Sequence, residues 1–501
     1  MTTLSKIDSL QARCKLALRC LALAILLAPA CVLAAGVAVD ALPTGGQVVA
    51  GSATIASTPA NMSINQSSQR AVVNWQSFDV GANAQVNFNQ PNAQAVTLNR
   101  VTGATASQID GAVRANGQVI IVNSNGVSFG KGAQVDAAAV VATTMNMADQ
   151  DFMDGKQVYQ GNGHGKVLNE GRITAHDANG YIALLAPEVR NEGFLMARAS
   201  VNNTIAMVAG EKITLNFKNN QLTGVRVDVS IINALVENKR LVFVDGGSVI
   251  VAANSARQLM NGVVRNTGAI VASSAVNNAG KISLVGATVI NAGKLLANGK
   301  GEGATGGQIA LAAETVVLAA NSKISANGDA GGGEINVGRQ EADSSNAEPA
   351  IVAKTVTAEA NAVLSASAIT RGNGGKISLH STDKTQIHGL LSANGGTQSG
   401  NGGFIKTSSN GRVVVGPMAK IEVAAARGQM GGWILQAGQI AIDQALAKVV
   451  SQTLGRANVT LAAVTENGST GDIDLAPDAV IEKTTGAENS KLIINAKARW
   501  I

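Results

Sequence analysis

The sequence predicts an all-β chain wound as a parallel β-helix, a solenoid whose core runs along one axis. Three observations carry this. Apolar residues recur at every second position rather than every 3.6. Gly-opened segments of one pattern return at intervals of 26 to 42 residues in the second half. The composition, 56 Gly with 3% aromatic residues, suits many short strands joined by tight turns. With 501 residues the chain also exceeds the roughly 250–300 residues of a single compact core.

The first element is an address. Lys6, Arg13, Lys15 and Arg19 precede LALAILLAPACVLAA (21–35), an apolar run of 15 residues. That length suits a secretory signal and falls short of the roughly 20 residues of a membrane-spanning helix. Cleavage is expected after Ala34 or Ala35, making 1–35 a signal peptide read by the Sec export machinery; the alternative is a retained anchor. A lipoprotein signal at Cys31 fits Ala28 and Pro29 poorly. Cys14, Cys20 and Cys31 all lie in this segment, so the mature chain is expected to rely on packing, without disulfides. The segment carries four basic residues and one acid, leaving about +3 of the net +6. With no dense Lys/Arg run among aromatics, no nucleic-acid partner is expected.

The next elements are coils with irregular spacing, up to about residue 265 and continuing into the segment after it. They include AQVNFNQ (84–90), AVTLNRV (95–101), VIIVNSNGVSF (119–129), YIALLAP (181–187), NEGRITA (169–175), NEGFLMA (191–197) and NTGAIVA (266–272). A short helix on a loop is expected at 254–260.

The later coils repeat plainly. AGKISL (279–284), GGQIAL (306–311), GGEINV (332–337), GGKISL (374–379), GGFIKT (402–407) and GGWILQ (431–436) each open a strand. Their second residues are separated by 27, 26, 42, 28 and 29 positions, and the long interval holds a charged segment, 339–349, expected to loop out. A second motif alternates with them: KLLANG (294–299), KISANG (323–328), LLSANG (390–395) and KIEVAA (420–425). The period-two spacing disfavours helical repeats, and propeller blades would need aromatic signatures that are missing. Recurrent Asn at one corner points either to a side-chain ladder between coils or to isolated turn residues.

The run INQSSQRAVVNWQSFDVGANAQVNFNQPNAQAVTLNRVTG (64–103), then VIIVNSNGVSFGKGAQVDAAAVVATTM (119–145) and LVENKRLVFVDGGSVIVAA (235–253), resembles the secretion domain of filamentous haemagglutinin-type exoproteins of two-partner secretion. The resemblance covers about 36–290. It implies a right-handed β-helix with an N-terminal cap, exported from a Gram-negative bacterium by a dedicated outer-membrane β-barrel transporter. It divides the mature chain into a secretion (haemagglutination activity) domain at 36–265 and a β-helical shaft at 266–501. The family's Asn-Pro-Asn-Gly secretion motif corresponds to Asn123, Ser124, Asn125 and Gly126, with Ser in place of Pro. Gln66, Trp75, Phe78, Asn99 and Arg100 are the family-motif residues of the cap and secretion domain. A second motif of the Asn-Pro-Asn-Leu type is not evident.

His164, His176, His380 and His388 are scattered, although His380 and His388 could face one another across a coil. GNGHG (161–165) lacks the strand-to-helix context of a phosphate loop. GDAGGGEIN (328–336) resembles a single calcium nonapeptide, and calcium rolls need tandem copies. Asp245, Glu334 and Glu341 are isolated acids that stacking could gather into a glycosidase-like groove. Trp75 and Phe78 either pack within the cap or form a carbohydrate platform. No catalytic residue, metal or cofactor is expected.

The leading expectation is therefore a non-enzymatic, secreted cell-surface adhesin whose receptor is unidentified. The other readings are a contact-dependent toxin-delivery stalk, a host haem- or iron-protein binder, and a β-helical carbohydrate-active enzyme. The strand pattern still runs at LIINAKARWI (492–501), with no visible cap, so a longer protein is one expectation.

Overall fold

Alternation of apolar and polar residues forces alternate side chains to opposite faces of a strand. When such strands stack in parallel, the inward set merges into one column per position. The computed structural model describes residues 36–161, 163–229, 233–253, 262–275, 279–340, 350–464, 470–483 and 489–496. Both the expected signal peptide and the expected helix at 254–260 lie outside the described residues. From Val39 onward the chain is one unit. Its described strands form three long sheets of 16, 14 and 11 strands, hydrogen-bonded almost throughout in parallel. This is a parallel β-helix.

The repeat seen in the sequence is the repeat of the coil. Lys281, Gln308, Glu334, Lys376, Phe404 and Gly432 stand in successive register on the 16-stranded sheet. The residues after them, Ile282, Ile309, Ile335, Ile377, Ile405 and Trp433, are all buried in the core. Each such side chain contributes roughly 1.5–3 kcal/mol by leaving water. The second motif stacks likewise on the 14-stranded sheet, where Leu295, Ile324, Leu364, Leu391 and Ile421 are in register. A Cβ on Gly307 would overlap the carbonyl oxygen of Gly280, and one on Gly333 that of Gly307. Backbones at this corner are too close for any other residue, which is why the glycines recur. In the long interval the strands Arg339–Gln340 and Ile351–Val352 pair antiparallel as they leave the coil and return.

At the N-terminal end the grammar changes. Gln47–Ala50 runs antiparallel to Arg70–Trp75, and Ala53–Ser57 antiparallel to Asn61–Gln66. These strands cover sheet edges that would otherwise template aggregation, so the expected cap is present.

The first coils carry a second core that alternation did not reveal. Gln118–Val122, Ala139–Thr143, Tyr181–Ala186 and Thr204–Ala209 are buried on nearly every residue. Their outward apolar residues need a cover. It comes from the hairpin Lys212–Lys218/Gln221–Val229, the strand Val158–Gln160 and the short helix α1 (Asp149–Met153). Phe152, Tyr159, Ile213, Leu215 and Leu222 pack there against Leu98, Ile120, Val141 and Leu185. Asn219 and Asn220 make the hairpin turn with φ of 51° and 62°, the left-handed pair a two-residue hairpin favours.

At the C-terminal end a helix follows the last full coils, and the strand expected within LIINAKARWI is present at Leu492–Asn495. Helix α2 (Gln444–Leu454) packs against Arg412–Val415 and Lys420–Glu422, the last strands of the 11- and 14-stranded sheets. Asp443 caps it by accepting from the N–H of Leu446 at 2.8 Å, and Leu446, Val449, Val450 and Leu454 face inward. Two of the three sheets are thus covered. The 16-stranded sheet continues through Asn458–Ala463 to Leu492–Asn495.

Candidate functional site

Asn123 to Gly126 form one corner of a coil, between the strands Gln118–Val122 and Val127–Phe129. The N–H of Gly126 donates to Asn123 O at 3.0 Å, closing a β-turn. Asn123 is fully buried, and its Nδ2 donates to Thr105 O at 2.9 Å and to Ser107 Oγ at 3.0 Å. Its Oδ1 accepts from the N–H of Asn125 at 3.0 Å, an Asx-type turn. Asn125 Nδ2 reaches Gly103 O on the preceding coil at 3.0 Å. Gly126 has φ of +124°, while Asn125 is not in the left-handed region. Ser124 is exposed at the turn's second position, where its carbonyl accepts from the N–H of Gly165 at 3.2 Å.

The other family-motif residues lie on the same first coils. Trp75 and Phe78 are buried with rings edge-to-face, centroids 5.7 Å apart. Neither offers a surface for a sugar, and packing within the cap region is the observed role. Trp75 Nε1 donates to Asn99 Oδ1 at 3.0 Å, and Asn99 Nδ2 donates to Ile120 O at 3.3 Å. Strand Gln118–Val122 then leads directly into Asn123. Gln66 is buried, accepting from Thr97 Oγ1 at 2.6 Å and donating to Val96 O at 3.2 Å. Arg100 ties the coil to α1 through Asp149 Oδ1 and Met147 O, each at 2.6 Å, and Asn146 Oδ1 at 2.9 Å. These residues therefore form one hydrogen-bonded framework over the first coils.

At the ANG corner the asparagines form neither a side-chain ladder nor isolated turns. In the ANG segments, Asn298 Oδ1 accepts from Asn327 N–H and Asn327 Oδ1 from Ser367 N–H, both at 2.8 Å. Those contacts join side chain to backbone between coils. The side-chain ladder runs along the 11-stranded sheet. Asn169 donates to Asn191, Asn191 to Asn238 and Asn238 to Asn266 at 2.8 Å, and Asn266 to Asn291 at 2.7 Å. All five are buried. The Asn of NEGRITA, NEGFLMA and NTGAIVA was the available signal.

The remaining candidates are not gathered. His380, on the 16-stranded sheet, contacts Ser408 Oγ through Nδ1 at 2.9 Å, and burial, then Arg339 and Lys406, lowers its pKa. His388 follows a strand of the 11-stranded sheet, so the two histidines do not meet. His164 is exposed, and His176 pairs with Asp136 at 2.8 Å. GNGHG joins two strands, without a helix to follow it. Asp329 of GDAGGGEIN accepts from Gly303 N–H at 2.9 Å. Glu334 pairs with Lys376 at 3.3 Å on the 16-stranded sheet, while Asp245 follows a strand of the 14-stranded sheet. Glu341 lies outside the described residues. Among the described residues there is no group of three His, Cys, Asp or Glu placed to hold a metal.

Comparison with known proteins agrees with the fold. The family profile of the TPS secretion domain matches residues 39–297. Two Haemophilus influenzae proteins, each named heme/hemopexin-binding protein, are similar to the chain. One, from strain Rd, is 30% identical over 256 residues, and the other 28% over 266. The match covers 48% of this chain in both cases, and only 27% and 28% of those proteins. The crystal structure of the HMW1 secretion domain from Haemophilus influenzae superposes with a TM-score of 0.64 at 24% identity, covering 78% of this chain and 100% of that one. That likeness speaks to the fold.

Proposed function

The chain belongs to the family of the TPS secretion domain, and from that premise we propose that it is a non-catalytic exoprotein exported by a partner outer-membrane transporter and displayed as an adhesin. The family match over 39–297 carries the reading. That stretch includes the cap, the corner Asn123–Gly126 and the asparagine ladder. In this reading it directs export and starts folding, and the later coils serve as a stiff shaft. The Sec machinery delivers the chain to the periplasm, and the transporter takes it to the cell surface.

A second reading is a binder of haem or of a haem-carrying protein. The specific observation in its favour is the 30% identity to a heme/hemopexin-binding protein. The toxin-stalk and enzyme readings have no comparable support.

The test is secretion in a heterologous Gram-negative host, with and without the cognate transporter. Transporter-dependent appearance of intact chain in the medium is expected. Export without the transporter, or periplasmic retention despite it, overturns the route.

A further inference from the structure

Five Asn-Gly pairs of the later coils share one arrangement. The main-chain N–H of Asn401, on the following coil, donates to Asn373 Oδ1 at 2.8 Å, and the N–H of Gly374 donates back to Asn401 O at 2.9 Å. Gln429 holds Asn401 and Gly402 in the same way, at 2.8 and 2.9 Å, and Ala424 holds Asn394 and Gly395 at the same two distances. Ser367 holds Asn327 and Gly328 at 2.8 and 3.1 Å, and Asn327 holds Asn298 and Gly299 at 2.8 and 2.9 Å. Each time, one residue of the following coil grips both the side-chain carbonyl of Asn and the amide of the Gly after it.

Those two groups are the ones that react with each other. In an Asn-Gly pair the Gly nitrogen, with no side chain to shield it, loses its proton to hydroxide and attacks Cγ of Asn. A ring C–N bond forms, the Cγ–Nδ2 bond breaks, and ammonia leaves with a proton from water. Water then opens the succinimide at either carbonyl, giving aspartate or isoaspartate. Isoaspartate carries the main chain through Cβ and Cγ, which lengthens the corner and spoils its register with the following coil. The grip opposes the first step twice. The Gly N–H is committed as a donor, and the Asn amide is fixed by a bond that must break before Cγ can turn to the Gly nitrogen. Asn410-Gly411 is the comparison. Asn410 is exposed, as are Asn373 and Asn401. The N–H of Gly411 donates to Thr382 O at 2.7 Å and to Ser409 Oγ at 3.2 Å, but among the described residues no main-chain N–H meets Asn410 Oδ1.

We propose that Asn298, Asn327, Asn373, Asn394 and Asn401 are latent sites of isoaspartate formation, each closed by the coil that stacks on it and open whenever that coil is unstacked. The only co-reactant is water. An unfolded chain therefore ages at these five corners, and a folded one is spared. The inference goes beyond the reading above and holds whichever route exports the chain.

The test is peptide mass spectrometry of the secreted full chain after incubation in mildly alkaline heavy-oxygen water, native or in urea. Heavy oxygen taken up at an Asn marks a succinimide opened during the incubation, and labelling by an isoaspartyl methyltransferase identifies the isoaspartate. Each site is scored against its own rate in urea. The five gripped pairs should react at least about 10-fold more slowly in the native chain than in urea. Their suppression should exceed that of Asn410 by about 5-fold, the effect of one hydrogen bond. Gln429→Pro deletes the N–H that meets Asn401 Oδ1 and should raise the native rate at Asn401 by about 5-fold, with Asn298 and Asn327 unchanged. If that variant misfolds by circular dichroism, the wild-type comparison of Asn373 and Asn401 with Asn410 decides. Native rates at the five sites equal to those in urea overturn the proposal. So does suppression at Asn410 as strong as at Asn373 and Asn401, which would assign the protection to the fold as a whole.

Discussion

The indole N–H of Trp75 donates to Asn99 Oδ1 at 3.0 Å, with both side chains inside the first coils. Asn99 passes the connection to Ile120 O on the next strand, three residues before the corner at Asn123. Replacing Trp75 by Phe keeps an aromatic ring and leaves Asn99 Oδ1 without its donor. A loss of about 1–3 kcal/mol is expected from chemical denaturation. No loss would mean that the bond does not help to hold the framework.

The corner itself needs one left-handed residue. Asn125-Gly126 replaced by Ala-Val should reduce secretion, because Val tolerates the +124° of Gly126 poorly and the Asn125 contact to Gly103 disappears. Ser124→Pro should instead stabilise by about 0.4–1 kcal/mol, since Pro presets φ at the second position of the turn. Secretion titre and denaturation midpoints of both variants check this.

The asparagine ladder predicts an asymmetry. Asn238→Leu strands the Asn191 donor and the Asn266 acceptor, and should cost on the order of 3 kcal/mol. Replacing all five ladder asparagines by Leu or Val should cost less, because no partner is left unsatisfied. The same column already becomes apolar at Leu318, Ala358, Ile387 and Val415. Denaturant unfolding of the single and fivefold variants decides it.

His380 predicts a weakness in acid. Burial holds its folded pKa below the unfolded value of about 6.5. The unfolded chain therefore binds the proton first, and stability falls as pH drops from about 6.5 through the folded pKa. His380→Gln should flatten that part of the profile relative to wild type, read as melting temperature from about pH 8 to pH 5.

The end helix should matter for solubility as well as stability. Asp443→Ala removes the N-cap of α2 at about 1 kcal/mol. Val450→Lys puts a charge where α2 meets the last strands, and should expose two sheet ends. Light scattering should then show association that wild type lacks. A monomeric Val450→Lys protein would mean that the helix is not the cover.

Much of this architecture was legible because the core column is written at fixed offsets from a glycine. The Gly-opened segments put their Ile inside, except that GGWILQ puts Trp433 there, and the backbone contact at the corner excludes a Cβ. The corner Asn123–Gly126 was legible for a similar reason, since turn chemistry is local. The second core was not. VIIV and YIALLA satisfy a period-two reading on one face, and their outward apolar residues become informative only when the hairpin at 212–229 is seen above them. The ladder hid because Asn238 is followed by Lys-Arg rather than by the Glu-Gly of Asn169 and Asn191, and because 47 residues separate it from Asn191. In QALAKVVSQTL the helical spacing of Leu446, Val449, Val450 and Leu454 is plain, but a strand pattern surrounded it.

Every rung of the asparagine ladder points the same way, from Asn169 toward Asn291, across sequence gaps of 22, 47, 28 and 25 residues. The rail is indifferent to what each coil does elsewhere, and the gap of 47 accommodates a whole extra hairpin. Over this stretch, length is thus quantised. A turn of the helix can be gained or lost between related chains only as a complete unit bringing its own asparagine. Decoration on the outer faces can diverge freely, and descendants of one rod could differ widely in what they display while sharing the same spine.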